Sequence, residues 1–265
     1  MPILDAPVSV LLALWAPVPS SVGTALVQGP DGVHDVVAAA TGPAASGWDG
    51  SGAAGWDAHK APGRVTTAVD LASWLEAARP FRRCAAVLPS PADPVPGLAL
   101  ALDEGQAVLL EGGAGSSLEG LSVLLVPRAS GTSVTWAAHV LSASPAPFDA
   151  SQARRDVHRA TEEAIEALVA LDLARERPQM AEALTDLVTA VLDPRLLPPS
   201  LPARQRDLLE RSLRLLGICE LALEDDGAAA TASQGLARSR VLRRLGAVAR
   251  HGVAAATETW GAHQG

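Results

Sequence analysis

The apolar pattern of this chain changes near residue 150, and that change limits the folds open to it. Residues 1–150 hold short apolar runs separated by glycine and proline, which is typical of strands. From Ser151 onward, apolar residues recur at steps of three and four, which is typical of helices. The sequence therefore predicts an α+β protein, with a sheet-rich domain over 1–150 and a four-helix bundle over 151–265 that packs on it.

The sheet domain is predicted to be mostly antiparallel or mixed, because hairpin signals dominate it. One helix is expected from Thr67 to about Arg79, where Pro80 follows. Residues 24–28 and 33–37 flank a Gly-Pro-Asp-Gly turn, and we interpret them as a hairpin. The other predicted strands are 8–15, 84–88, a hairpin of 98–102 with 106–110, and a hairpin of 121–126 with 132–141.

Four helices are predicted in the second part of the chain. The first begins near Ser151 and ends before Pro178, and the second ends at Asp193-Pro194. The third begins near Pro202 and is apolar nearly all round over 208–223, so it must be covered on several sides. A fourth helix follows Thr231, with Val241, Leu245 and Val248 expected on its apolar face.

The charges are unevenly distributed. The 265 residues carry a net charge of -8, of which -7 lies in residues 1–150. This acidic balance disfavours broad nucleic-acid binding, which requires a basic surface. The basic residues are 20 arginines and one lysine, and five arginines crowd the last helix: Arg250 and the four candidate contacts Arg238, Arg240, Arg243 and Arg244. They form either a contact for an anion or acidic partner, or ion pairs with the acids of the preceding helices.

The compartment is predicted from the cysteines and the N-terminus. Cys84 and Cys219 are too few for a disulfide framework, so we expect reduced thiols in a cytoplasmic protein. The apolar run 8–15 follows Asp5 and no cationic residue, unlike a signal peptide. No apolar run approaches the roughly 18 residues of a membrane span, so no membrane contact is expected.

A Gly-rich loop is predicted at 41–63, with six glycines and two prolines. It repeats Gly-Trp-Asp, and its Trp48 and Trp56 either contact a partner or fold back over the sheet. Residues 50–55 fit the pattern Gly-x-Gly-x-x-Gly, but no strand precedes them and no helix follows them. We therefore interpret them as loop rather than as a nucleotide site.

The histidines show no spacing typical of a metal site. His139 falls on the polar face of its predicted strand and is expected at the surface. His158 and Glu162 share a helix face and are interpreted as a solvated pair. The sequence thus predicts no catalytic residue, no cofactor and no metal ion.

Several stretches together resemble a known family. They are residues 88–97, 134–139, 177–184 and 196–227. This combination is similar to a widespread family of uncharacterised proteins from actinobacteria, over residues 85–260. The resemblance implies no activity and no functional residue.

Two functions are carried forward. The first is a non-catalytic cytosolic binding or interaction protein, whose contacts include the four arginines of the last helix and the two tryptophans of the loop. Its partner is an unknown protein or a small anionic ligand, and the apolar helix 208–223 suggests a homodimer. The alternative is an enzyme acting on an anionic small molecule in the cleft between sheet and bundle, where His139 or His158 would move protons.

Overall fold

The computed structural model confirms the α+β class. It divides the chain into two compact units, here called the helical unit and the sheet unit. The helical unit comprises Met1–Ala6, Phe148–Arg195 and Ser200–Ala256, and the sheet unit comprises Pro7–Pro147, Leu196–Pro199 and Thr257–Gly265. The structure describes residues 2–30, 32–38, 68–93, 95, 98–170, 178–224 and 232–261.

The sheet unit is built on one seven-stranded mixed sheet with the order β2-β1-β6-β5-β4-β3-β7. β1 runs parallel to β6, and every other neighbouring pair is antiparallel. The prediction of a mostly antiparallel or mixed sheet is therefore confirmed. The strands are β1 (Val33–Ala38), β2 (Val69–Asp70), β3 (Phe81–Val87), β4 (Ala107–Gly112), β5 (Ser122–Ser130), β6 (Ser133–Val140) and β7 (Thr259–Trp260).

The centre of the sheet is buried on both faces. All six residues of β4 are buried, and Trp136 of β6 is fully buried. Such strands read as continuous apolar runs rather than as alternating ones. The hairpin of β5 and β6 is confirmed, with Ser130 paired to Ser133 across its turn. Gly131 takes a φ of 60° in that turn, a conformation that glycine adopts at little cost.

The N-terminal strand predictions are wrong. Val8–Trp15 is a helix, α1, and Ser21–Gln28 is a helix, α2, so residues 24–28 form no hairpin with β1. Six of the eight residues of α1 are buried. A helix buried on most sides shows no polar face, and its run of seven apolar residues and one serine therefore resembles a buried strand. The hydroxyl of Ser20 caps α2 by accepting from the Gly23 N–H at 3.2 Å.

The helix predicted before Pro80 is confirmed in a shorter form. It is α3 (Leu71–Ala78), and the carboxylate of Asp70 caps it by accepting from the Ser73 N–H at 3.0 Å. Thr67, the expected cap, lies outside the described residues. The predicted strand at 98–102 is wrong, because Ala99–Ala101 forms a turn of 3-10 helix. β4 pairs instead with β3 and β5.

The helical unit contains four long helices among its described residues: α4 (Ala150–Ala170), α5 (Pro178–Thr189), α6 (Ala203–Glu224) and α7 (Ala232–Thr257). Pro178 separates α4 from α5, as expected, and it is the first residue of α5, a position that suits its fixed φ. The apolar α6 is covered as expected, with Leu208, Leu209 and Leu213 buried.

The buried line of α7 differs from the predicted one. Leu242, Leu245, Ala249 and Val253 are buried, whereas Val241 is 42% exposed. These buried positions follow each other at steps of three and four, so they lie on one face of the helix. Near its C-terminal end this face approaches α4 and α6 at Gly252. A Cβ atom built there would lie 2.3 Å from Ser212 Oγ and 2.7 Å from Val157 Cγ2.

This close approach predicts opposite effects for two glycines of α7. Gly252→Ala should lower the free energy of unfolding by roughly 1–3 kcal/mol, because the new methyl group overlaps two buried side chains. Gly246→Ala should leave the stability unchanged or raise it by up to about 1 kcal/mol, because alanine favours the helix. A Cβ at Gly246 would lie 3.3 Å from Nη1 of the flexible Arg250 side chain and 3.9 Å, an ordinary contact distance, from Cys219 Cβ. Urea unfolding of both variants tests this, and an equal loss at both positions would contradict it.

Candidate functional site

The arginine-rich helix predicted as a contact is α7, and its arginines have separate roles. Arg238 is buried and donates from Nη2 to the carbonyl oxygen of Ala222 at 2.6 Å. Ala222 lies in the last turn of α6, where carbonyl groups lack partners within the helix. Arg238 therefore supports the end of the preceding helix, as arginines near helix C-termini commonly do.

Arg244 forms an ion pair across two helices. Its Nη2 lies 2.5 Å from Oε2 of Glu163 on α4, and its side chain remains 69% exposed. An exposed pair of this kind stabilises the fold by less than about 1 kcal/mol. The pair nevertheless shows that Glu163 of α4 and Arg244 of α7 lie opposite each other.

Arg240 and Arg243 are exposed. Within the part of the chain that the structure describes, neither guanidinium has a carboxylate within 4.0 Å. Together with Leu236 and Arg244 they recur at steps of four and three, so they share one side of the helix. We call Leu236, Arg240, Arg243 and Arg244 the outer face of α7. Leu236 is 67% exposed, and α7 contains no acidic residue, so this face is cationic with an apolar end.

The two tryptophans of the predicted loop cannot be placed with these arginines. Trp48 and Trp56 lie outside the described residues, as do residues 50–55.

Sequence reasoning missed a buried ionic cluster in the sheet unit, centred on Arg83 of β3. Its side chain is 1% exposed. Its Nε donates to Glu258 Oε1 at 2.6 Å, and its Nη1 donates to Glu111 Oε1 at 3.1 Å. The backbone carbonyls of Pro145 and Ala146 accept from Nη1 and Nη2 at 2.6 and 3.0 Å. In the sequence, the only sign of this cluster is the pair Arg82-Arg83 at the start of a strand. That pair does not show which residues will bind Arg83.

Glu111 of β4 is the second centre of this cluster. Its carboxylate accepts short hydrogen bonds from Arg82 and from the hydroxyl of Ser144. Burial alone would raise the pKa of Glu111. The hydrogen bonds from Ser144 and Arg83, with the charges of Arg82 and Arg83, outweigh burial and hold this pKa below its ordinary value. Glu111 is therefore ionised at neutral pH, and the cluster holds chain segments together.

The cluster also holds the last strand. Arg83 pairs with Trp260 in the register of β3 and β7, and its guanidinium lies 5.3 Å from the centroid of the Trp260 ring. That distance allows a cation–π interaction. The backbone N–H of Ala86 donates to Thr257 Oγ1 at 2.9 Å, so β3 is also bonded to the chain two residues before β7.

Two histidines of the sheet are buried. His139 was expected at the surface, and this is wrong: it is only 8% exposed, and its Nδ1 has no hydrogen-bond partner among the described residues. His34 is 3% exposed, and its Nδ1 accepts from Trp136 Nε1 at 3.3 Å. Burial lowers the pKa of both imidazoles, and the charge of Arg128 lowers that of His139 further. Strand alternation decides to which face of the sheet His139 points, but the elements packed on that face decide whether the side chain is buried.

The remaining candidates for acid and base chemistry, His158 and Glu162, lie on the surface of α4. His158 and Glu162 are both exposed, with Nε2 and Oε1 3.7 Å apart, which agrees with a solvated helix pair. Among the described residues, no group of three or more histidine, cysteine or acidic side chains is arranged to hold a metal ion. No helix in these parts of the chain has the length and apolarity needed to cross a membrane.

The fold and the cluster define an α+β protein with a mixed seven-stranded sheet and a C-terminal set of helices. Residues 151–254, which include most of those helices, match the family described as Rv1486c-like protein, C-terminal domain. Over these residues the chain is similar to that family of uncharacterised proteins, and the resemblance inferred from the sequence is confirmed there. Neither a curated protein nor a solved structure matches the chain.

The Arg83 cluster predicts a large difference between two adjacent arginines. Arg83→Ala should lower the free energy of unfolding by about 3–5 kcal/mol, because it leaves two buried carboxylates without their shared partner. Arg82→Ala should cost about 1 kcal/mol or less, because the Arg82 side chain is 59% exposed. Arg83→Lys keeps the charge but loses the planar fork, so its stability should fall between them. Equal losses in urea unfolding for Arg83→Ala and Arg82→Ala would refute this role.

The buried histidines predict that stability falls on acidification below neutral pH. Their pKa values are lowered from 6.5 in the folded protein, so the unfolded chain binds more protons below that pH. The free energy of unfolding should therefore decrease as the pH falls through 6.5 toward 5. His34→Gln combined with His139→Gln should flatten this slope, and comparing the two pH curves cancels the contribution of the carboxylates. Parallel curves would show that the imidazoles do not cause it.

Proposed function

We propose that this is a non-catalytic binding or interaction protein, and that the outer face of α7 is its contact surface. The observation that carries the proposal is the exposure of Arg240 and Arg243. Both are exposed on a helix that has no acidic residue, and neither has a carboxylate within 4.0 Å in the described part of the chain. Their charges are therefore available to an external anion.

The chemistry of this face favours a carboxylate-rich protein segment or a small anionic ligand. A guanidinium donates two parallel hydrogen bonds to one carboxylate or phosphate, which adds geometric specificity to the charge attraction. Leu236 supplies an exposed apolar contact at one end of the same face. Arginine is enriched at protein contacts relative to the rest of the surface.

Nucleic acid fits the same face less well. The net charge of the chain is -8, and nucleic-acid binding depends on releasing many counterions from phosphates. Three exposed arginines on one helix neutralise few phosphates. The proposal is therefore restricted to proteins and small anions.

An enzyme acting on an anionic small molecule is the alternative. The observation that favours it is His139, a buried imidazole with a lowered pKa and with no hydrogen-bond partner for Nδ1 among the described residues. A neutral histidine of this kind can accept a proton. If this alternative holds, an anionic ligand should shift the titration of His139 in NMR spectra, which binding at α7 alone does not predict.

Two further expectations belong to the proposal. The first is that α4–α7 pack as a four-helix bundle; Gly217 of α6 lies beside Leu187 of α5, and Ala222 of α6 packs with Leu242 of α7. The second is a cytoplasmic location. Its support is that both cysteines are free and buried, and that burial raises the pKa of Cys219 to about 12, which keeps the thiol unreactive.

Binding of an acidic peptide tests the proposed contact surface. A decapeptide of glutamate should bind in calorimetry, more weakly as salt is added, because exposed charges are screened. Arg240→Glu with Arg243→Glu should weaken this binding at least about tenfold, since each lost charged contact costs on the order of 1 kcal/mol. The matched control, Arg204→Glu with Arg211→Glu on α6, changes the same net charge and should bind as the wild type does. Equal weakening in both double variants would mean that only net charge matters and would remove α7 as the surface.

A further inference from the structure

We propose that the outer face of α7 binds a second copy of this chain, against the exposed acids of α4, in a two-fold symmetric dimer. The inference rests on the proposed binding function, because it names the partner of the same surface. Its basis is the arrangement of opposite charges on two adjacent helices of the helical unit.

α4 and α7 approach each other at two points and run in opposite directions between them. Gly252 of α7 approaches Val157 of α4, and eight residues earlier on α7 Arg244 reaches Glu163, six residues later on α4. At 1.5 Å per residue, Glu166 lies about 4.5 Å beyond Glu163 and Arg240 about 6 Å beyond Arg244, in the same direction. Glu166 and Arg240 are therefore at nearly the same level of the helix pair.

The two helices present opposite charges to solvent at this level. Glu162 and Glu166 are exposed on α4 and lie one helical turn apart. Arg240 and Arg243 are exposed on α7. We call these four residues the paired rows, an acidic row on α4 and a basic row on α7, with the Arg244–Glu163 ion pair between them.

Adjacent rows of opposite charge are self-complementary under a two-fold rotation. A two-fold axis that lies in the contact plane, parallel to the two helices and midway between the rows, places the acidic row of each copy over the basic row of the other. Each contact then occurs twice, so the charges of all four rows in the dimer are used. The same surface in a translated, head-to-tail contact uses only half of them.

The size of the surface sets the expected strength. α4 has 21 residues and α7 has 26, and two adjacent helices about 30 Å long and 10 Å wide offer roughly 600 Å² per copy. The total of about 1,200 Å² is at the lower limit for specific protein contacts. We therefore expect a reversible dimer that weakens with salt, because its charges are exposed.

A charge-exchange experiment tests the dimer. One variant carries Arg240→Glu and Arg243→Glu, and a second carries Glu162→Arg and Glu166→Arg. Each alone brings like charges together in both halves of the contact, so sedimentation should show association at least about tenfold weaker than that of the wild type. Mixed in equal amounts, the two variants restore opposite charges in both halves and should form a heterodimer.

The controls separate folding, the dimer and the binding function. Circular dichroism should show that both variants are folded, and Arg204→Glu with Arg211→Glu should dimerise as the wild type does. A wild-type chain that stays monomeric up to about 1 mM, where even weak contacts associate, overturns the dimer, as does a mixture of the two variants that stays monomeric. If the wild type is monomeric but still binds the glutamate peptide through α7, the proposed binding function stands and only the identity of the partner is wrong.

Discussion

A single buried guanidinium organises the sheet unit. Removing the charge of Arg83 from water costs several kcal/mol, so the surrounding chain must supply partners in fixed positions. Two carboxylates, one from β4 and one from the residue before β7, balance the charge, and two backbone carbonyls of residues 145 and 146 take further donors. These segments are far apart in sequence, and each is held where Arg83 can reach it. The position of β7 at the sheet edge thus depends on an ion pair as well as on backbone hydrogen bonds.

The partners of Arg83 stand at two points where the chain passes between the units. Residues 144–146 come just before the sheet unit is left at Pro147, and Glu258 comes just after it is resumed at Thr257. Both passages are therefore tied to the same strand, β3, at the same residue. A two-residue strand such as β7 has too few backbone bonds to be stable by itself. The Glu258 carboxylate and the Trp260 ring add an ion pair and a cation–π contact to those bonds.

The fold was predictable where an element pairs with the next segment of the chain or buries only one of its faces, because the sequence then shows a regular apolar pattern. β5 and β6 form a local hairpin, and α4–α7 each show a helical period, so their existence followed from sequence. α1 was not predictable, because six of its eight residues are buried and its seven apolar residues and one serine form no polar side. β7 was not predictable either, since its pairing to Arg83 and Cys84 depends on residues about 175 positions earlier in the chain. Local propensity carries no information on contacts of that range.

The roles of the arginines were not predictable from the sequence either, although their excess over lysine was plain from the composition. With 20 arginines and one lysine, a biased genome is a sufficient cause of the total, but it does not fix what each residue does. Arg79 donates to the carbonyls of Ala16 and Val18, Arg214 to that of Ala190, and Arg238 to that of Ala222. Each satisfies backbone acceptors near the end of a helix, where the intrahelical bonds stop.

A planar fork suits this task better than an ammonium group, because it holds several donors in fixed directions with little further loss of freedom. In the sequence these arginines are indistinguishable from Arg240 and Arg243, which lie on the outside of α7. Only the positions of the carbonyls and carboxylates distinguish the arginines that bond within the fold from those that are exposed to a partner. The cluster on the last helix is therefore partly structural and partly exposed, and the choice between a site and an ion-pair network is made residue by residue.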